Sequence, residues 1–314
     1  MADGPSPPSS GHRPTVVHGG FYGPGSEAWR LNREAMLLLG AGPRALLLQI
    51  AHPAVAAGVA EHSDFRTDPW ARLSGTLRSY LRIVYGTAEA ARSEIQRLNE
   101  LHRGVRGPVI EPAARERHGG RYSALDPALG LWVHATLVDS TIAAYDAWIE
   151  PLSRTDKARY YAETLPVGRA FGIPASTLPP SLDAFDEYLA QMLAPDGPIQ
   201  VDAVARELAG AILHPPLGPA VSAAGWPFTR LAGAADAIPS GAYSWLFWPS
   251  IGLLPTRVRQ GYGFPWGLRQ RAVSTWLAAG WQAWRPALPP SFRQMPQALR
   301  ADRRVGAGPA LLEG

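Results

Sequence analysis

The feature that most constrains this chain is a repeated helix-start signal followed by apolar residues at helical spacing. Asp68-Pro69 and Asp126-Pro127 each set a side-chain acceptor at an N-cap and a proline at the first helical position, where its missing N–H goes unneeded. Behind Asp68, the residues Leu73, Leu77, Leu81 and Val84 recur on one face until Gly86. Thr87 then caps a segment reaching Val105, and Asp126 opens a long one through Glu150. Further helices are expected from Ser26 to Leu39, closed by Gly40-Ala41-Gly42-Pro43, and from Arg44 to Glu61, kinked or broken at Pro53. Others should start at Thr155 and end near Gly172, run from Ser181 to Leu193, and run from Val201 to Leu213. Leu, Ala and Arg dominate, and unbranched side chains lose little rotamer freedom in a helix. No strand run stands out, so the expectation is an all-α fold.

The domain organisation follows from the same pattern. Residues 21–295 show no linker and no internal repeat, so they read as one helical domain. Residues 1–20, rich in Pro, Ser and Gly, read as a disordered tail, and residues 296–314 as a loose one. The last third holds Trp245, Trp248, Trp266, Trp276, Trp281 and Trp284 among frequent Pro and Gly, which predicts shorter helices packed over the core. The most apolar stretch, Ala35 to Ala60, is interrupted by Arg44, His52 and Pro53. A membrane span needs roughly 20 uninterrupted apolar residues, so no span is expected. The N-terminus shows no apolar signal core, and the expected location is cytoplasmic.

Composition removes several functional classes. The chain has no cysteine, which excludes disulfides, iron–sulfur clusters, cysteine–zinc sites and thiolate-ligated or covalently attached heme. The net charge is +4, but the arginines are scattered and alternate with acids, as in Arg115-Glu116-Arg117. A nucleic-acid binder should cluster its basic residues, so no nucleic-acid partner is expected. GxGxxG, P-loop, HExxH and GxSxG patterns are all missing.

Two histidines stand out. On the helix from Thr87 an apolar stripe runs Ala91, Ile95, Leu98, His102, Val105. An imidazole facing a core is desolvated and neutral, and each ring nitrogen needs a partner. His102 is therefore either a core histidine bonded to a backbone carbonyl or a metal or heme ligand. His134, in Leu131-Trp132-Val133-His134, poses the same choice on the long central helix. Arg72 and Thr76 lie four apart on one helix face, where a guanidinium and a hydroxyl aimed at one site suit a propionate or bound oxygen; a surface Arg and a solvated Thr is the competing reading. Gln49 and His52 precede the expected kink at Pro53, where freed backbone groups often make sites. His62, Ser63 and Asp64 are consecutive and cannot converge as a relay, so they read as a helix end and turn.

An ordered set of segments resembles a known family. It begins with Leu46-Leu47-Leu48-Gln49, Ala51-His52-Pro53-Ala54-Val55, Gly58-Val59 and His62-Ser63-Asp64-Phe65. It continues through Asp68-Pro69, Arg72-Leu73, Thr76-Leu77, Tyr85-Gly86-Thr87 and His102-Arg103-Gly104-Val105-Arg106-Gly107. Tyr122-Ser123-Ala124, Trp132-Val133-His134-Ala135-Thr136 and Tyr160-Tyr161 complete it. Over roughly residues 21–215 the chain is similar to the oxygenase family of fungal MpaB and bacterial latex-clearing protein, the rubber oxygenase catalytic domain. The resemblance implies an all-α fold with a globin-like core around non-covalent heme b, extra C-terminal helices, and O₂-dependent cleavage of carbon–carbon double bonds in isoprenoid chains. It places the proximal ligand on the helix of His102 and the distal pair at Arg72 and Thr76, with His134 a further candidate for the cofactor site. Gly75 stands where latex-clearing proteins carry a distal Lys, and Pro53-Ala54-Val55-Ala56 offers no Glu as a base. These departures point away from rubber and toward another apolar, unsaturated, isoprenoid or lipid-like substrate. Two rival classes share parts of the pattern. One is a heme-binding O₂ sensor or carrier, and the other a cofactor-free helical protein resting on a membrane through Tyr243-Ser244-Trp245-Leu246-Phe247-Trp248.

Overall fold

The computed structural model describes residues 20–63, 68–109, 115–116, 120–214, 234–235, 237–239 and 242–306. The expected N-terminal tail before residue 20 lies outside them. Most of the expected helices form: α1 (Glu27–Asn32), α2 (Leu37–Ile50), α3 (Pro53–His62), α4 (Pro69–Tyr85), α5 (Ala88–Arg103), α6 (Pro127–Trp148), α7 (Arg154–Ala170), α8 (Leu182–Met192) and α9 (Ala203–Leu213). Local chemistry sets their starts. Asp68, Thr87, Asp126, Ser153, Ser181 and Asp202 each accept a hydrogen bond from a first-turn N–H.

The centre of the fold is the pair α2 and α6. Trp132 Nε1 donates to the Leu48 carbonyl at 3.1 Å, and Arg44 meets Ser140 Oγ at 2.8 Å and the Asp139 carboxylate at 2.6 Å. Gly40 faces Ala144 so closely that a Cβ there would lie 3.0 Å from the Ala144 Cβ. These three contacts define an antiparallel crossing. One core layer gathers Trp29, Tyr85, Tyr145, Trp148, Tyr160, Tyr161 and Phe185, and the other Leu48, Trp132, Leu208, Ile212, Tyr243, Phe247 and Tyr262.

The crossing explains the first departure from expectation. Gly40-Ala41-Gly42-Pro43 does not end a helix; it lies inside α2. Glycine at 40 permits close approach to α6. Pro43 leaves the Leu39 carbonyl without its usual helical donor, and the Ser250 hydroxyl reaches that carbonyl, with the Gly40 carbonyl 3.0 Å away.

Two more departures concern the hairpin and the C-terminal region. A small antiparallel pair forms where no strand was expected, β1 (Arg106–Pro108) with β2 (Arg121–Ser123), Gly107 opposite Tyr122. It packs on α3 through Tyr122, Val109 and Ala54. The last third holds short helices α10 (Trp248–Gly252) and α11 (Thr256–Gly261), as expected, but also the 17-residue α12 (Leu268–Trp284). After α13 (Pro290–Arg293), residues expected to be loose from 296 form α14 (Pro296–Val305), ended by Gly306 in the left-handed region at φ 73°. Its Asp302 is buried, accepts from Trp29 Nε1 at 2.8 Å and pairs with Arg33, which fixes the helix against α1. Residues 307–314 of the expected tail lie outside the described ones. Among the described residues no helix is long and apolar enough to cross a membrane.

Candidate functional site

The candidate residues sit on α4, α5 and α6, and the packing of α4 against α5 decides which of them meet. Arg82 Nε donates to the Ala90 carbonyl, and one turn further along Ser79 Oγ donates to Glu94 at 2.7 Å. This antiparallel register, carried two turns on, sets Arg72 opposite His102. The electrostatics agree. Burial pushes the His102 imidazole below its usual range, and the Arg72 charge pushes it further in the same direction. His102 is half-buried and neutral at physiological pH, with the apolar stripe Ala91, Ile95 and Leu98 beneath it.

Arg72 is exposed and held in place. Its Nε donates to Ser63 Oγ at 2.9 Å, and Thr76 Oγ1 lies 3.4 Å from its guanidinium while donating to the Arg72 carbonyl at 3.0 Å. Ser63 is the C-cap of α3, so the segment read as a helix end supplies the residue that orients Arg72. Sequence reasoning missed that role, and nothing in the spacing of nine residues across a turn signals it. Gly75 leaves the same face open: a Cβ there meets only the Arg78 guanidinium, at 3.8 Å.

His134 lies at a different junction. It keeps some exposed surface, but its Nε2 is fully enclosed without a hydrogen-bond partner, and burial lowers its pKa to about 4. The Nε2 faces Gly168 of α7, where a Cβ would lie 3.5 Å away. Asn99 of α5 donates to the Ala170 carbonyl at 3.2 Å while its Oδ1 is also buried and unpaired. Asn99 and His102 are three residues apart on α5 and share a face. One face of α5 thus presents an imidazole at its end and, one turn earlier, an unsatisfied amide.

The other sequence candidates have structural duties. His52 is buried, and its Nδ1 caps α3 by accepting from the Ala54 N–H at 3.2 Å. Gln49 is the penultimate residue of α2. His62 is exposed, edge-on to Tyr122, whose hydroxyl donates to Glu61 and is raised by burial and by that carboxylate. Glu61 and Tyr122, next to the Ser63 that holds Arg72, were not singled out from sequence.

Among the described residues no group of three His, Cys, Asp or Glu could hold a bare metal ion. A porphyrin supplies four nitrogens of its own, so a neutral imidazole is the one protein ligand it requires. Two features fit that group: a neutral His102 and a fixed cation at Arg72 beside it. A cavity of about 270 Å³ lies elsewhere, lined by Ser244, Trp245, Trp248, Arg269, Val273 and Trp276, none of which carries this chemistry.

Residues 29–284 match the family described as ER-bound oxygenase mpaB/B′/rubber oxygenase, catalytic domain. The chain belongs to this family. The match runs past residue 215, where the resemblance read from the sequence ends, and takes in α12. Two uncharacterized mycobacterial proteins, one from Mycobacterium bovis and one from Mycobacterium tuberculosis, are each 27% identical over 237 residues, covering 74% of this chain and 82% of theirs. No solved structure matches. Membership in the mpaB/rubber oxygenase family establishes the general class, an oxygenase, which uses O₂ and a substrate.

Proposed function

We propose that this protein is a heme b-dependent oxygenase acting with O₂ on an apolar, unsaturated substrate of isoprenoid or lipid type. The observation that carries the reading is the pairing of a neutral, desolvated His102 with Arg72 across the α4–α5 contact. Heme b, when bound, supplies the activation of O₂, which no side chain of this composition provides. His102 would hold its iron, and is already deprotonated at neutral pH because burial and Arg72 both oppose its charged form. Arg72 offers a permanent positive charge and fixed N–H donors to negative charge developing on the reacting oxygen. Thr76 and Ser63 orient that guanidinium from two sides. His134 and Asn99 bring polar atoms that a cofactor edge or an ordered water can satisfy.

Absorption spectroscopy on the purified protein tests this. The wild type, as isolated or after addition of hemin, should show a Soret band. His102→Ala should lose it while keeping the helical circular dichroism, and Arg72→Ala should keep it while O₂-dependent turnover of an unsaturated apolar substrate falls about 10²-fold. A wild-type protein that takes up no hemin overturns the reading. Loss of heme in His134→Ala but not in His102→Ala moves the ligand to α6. Reversible O₂ binding without turnover makes the protein a carrier or sensor.

A further inference from the structure

The C-terminal third carries an exposed surface that the site does not use. Every fourth residue of α12 lies on one inclined row, and that row reads Leu268, Ala272, Trp276, Gly280, Trp284. Leu268 is 88% exposed, Trp276 and Trp284 are each 71% exposed, and Phe292 of the following α13 is 72% exposed. The side of α12 away from Trp276, with Ser274, Ala278 and Trp281, is partly covered, so the exposed row is a chosen face and not an undocked helix. Trp245 and Trp248 extend it, since they share a groove with Arg269, Val273 and Trp276.

The charge that this segment itself contributes has one sign. From residue 237 to 301 the sequence has seven arginines and no Asp or Glu. Several of those arginines are spoken for: Arg285 pairs with the buried Glu34, Arg257 donates to the Ala194 and Pro195 carbonyls, and Arg259 is buried. Arg269 and Arg271 are left exposed on α12, Arg269 lying over the Trp248 ring at 5.5 Å. Asp302, the next acid along the chain, is buried against Arg33.

We propose that the Trp- and Arg-bearing face of α12 docks the protein on an anionic lipid bilayer. Indole rings with an apolar body and one N–H favour the water–lipid boundary, and arginines beside them are drawn to anionic headgroups. The helix lies in the plane of the surface and does not cross it. A second copy of this chain is a poorer occupant, because it would bring the same positive charge to the contact. An apolar substrate dissolved in the bilayer then reaches the protein without passing through water; this last consequence rests on the oxygenase reading, whereas docking does not.

Co-sedimentation of the full chain with vesicles decides the matter. Vesicles of phosphatidylcholine and phosphatidylglycerol in equal parts should pull the protein down, vesicles of phosphatidylcholine alone should not, and high salt should release it. Trp276→Ala and Trp284→Ala should each weaken partition about tenfold, and the Arg269→Ala, Arg271→Ala pair about 30-fold, all with unchanged circular dichroism. Heme-free and heme-loaded protein should bind alike, which separates this result from the fate of the proposed function. Absence of binding to either vesicle overturns the proposal, as does equal, salt-insensitive binding to both. So does a dimer in solution that Trp276→Ala dissociates.

Discussion

Helices α6 and α12 are alike in composition and opposite in fate. Both are long and rich in Trp, Leu and Ala, but α6 buries Leu131, Trp132, Ala135, Val138, Ala144, Tyr145 and Trp148, whereas α12 buries no residue fully. The difference lies in their neighbours. α6 has α2 against it in close register and further helices on its other sides, so it is buried all round. α12 has a partner on one side only. Apolar composition therefore reports an appetite for burial, and the surrounding elements determine whether the protein itself satisfies it.

The sharpest way to break this comparison is to remove one tryptophan from each helix. Trp132→Ala deletes an enclosed indole and its bond to Leu48, and should cost about 4 kcal/mol in urea unfolding. Trp276→Ala should change stability by about 0.5 kcal/mol or less. Equal losses would mean that α12 is integral to the core.

A second contrast within α6 concerns its histidine. His134 titrates near 4 in the folded chain against a usual value of 6.5, because burial disfavours its charged form. The unfolded chain binds the extra proton first, so the stability this residue contributes is full above pH 6.5 and drains away as pH falls toward 4. The expected loss is about 3 kcal/mol. Unfolding midpoints of heme-free protein at pH 7, 5.5 and 4 should fall accordingly, and His134→Leu should flatten that part of the profile. An unchanged slope in the variant assigns the acid sensitivity to another group.

How much of this was legible in the sequence depends on the range of the interaction. Helix starts at Asp68, Thr87, Asp126 and Ser181 were legible because an N-cap acts across three residues. The stripe that singles out His102 was legible because helical spacing is local. The interior of α2 was not: Gly40 is fixed by Ala144, and the carbonyl freed by Pro43 is met by Ser250, over 200 residues away. The same holds for α14, whose buried Asp302 answers Trp29 and Arg33. For the site, the helical spacing of Arg72 and Thr76 was readable, while Ser63 and the orphaned Asn99 Oδ1 depend on how helices meet. Ser250→Ala tests the first of these directly. It should cost about 2 kcal/mol, the penalty of a buried carbonyl without a donor, and a loss below 0.5 kcal/mol would show that α2 tolerates Pro43 unaided.

The smallest expected effect is the most specific. Ser63→Ala removes one exposed hydrogen bond to Arg72, so stability should move by about 0.5 kcal/mol or less. Heme content should stay unchanged while turnover falls, less steeply than in Arg72→Ala. Full activity in Ser63→Ala would place the orientation of Arg72 with Thr76 alone.

The contacts around α1 also bear on the order in which the chain acquires its shape. Arg33 and Glu34 are buried charges whose partners are Asp302 and Arg285, and the Ala35 N–H and Arg33 carbonyl are met by residues 293 and 295. A ribosome delivers residue 30 long before residue 300. Until then both charges favour water over the interior, so the end of α1 at Arg33 and Glu34 stays unpaired while the central pair of α2 and α6 assembles. Closure comes late, when the distal segment folds back against the end of α1, and truncation near residue 295 should release the earliest-made part of the protein along with the last.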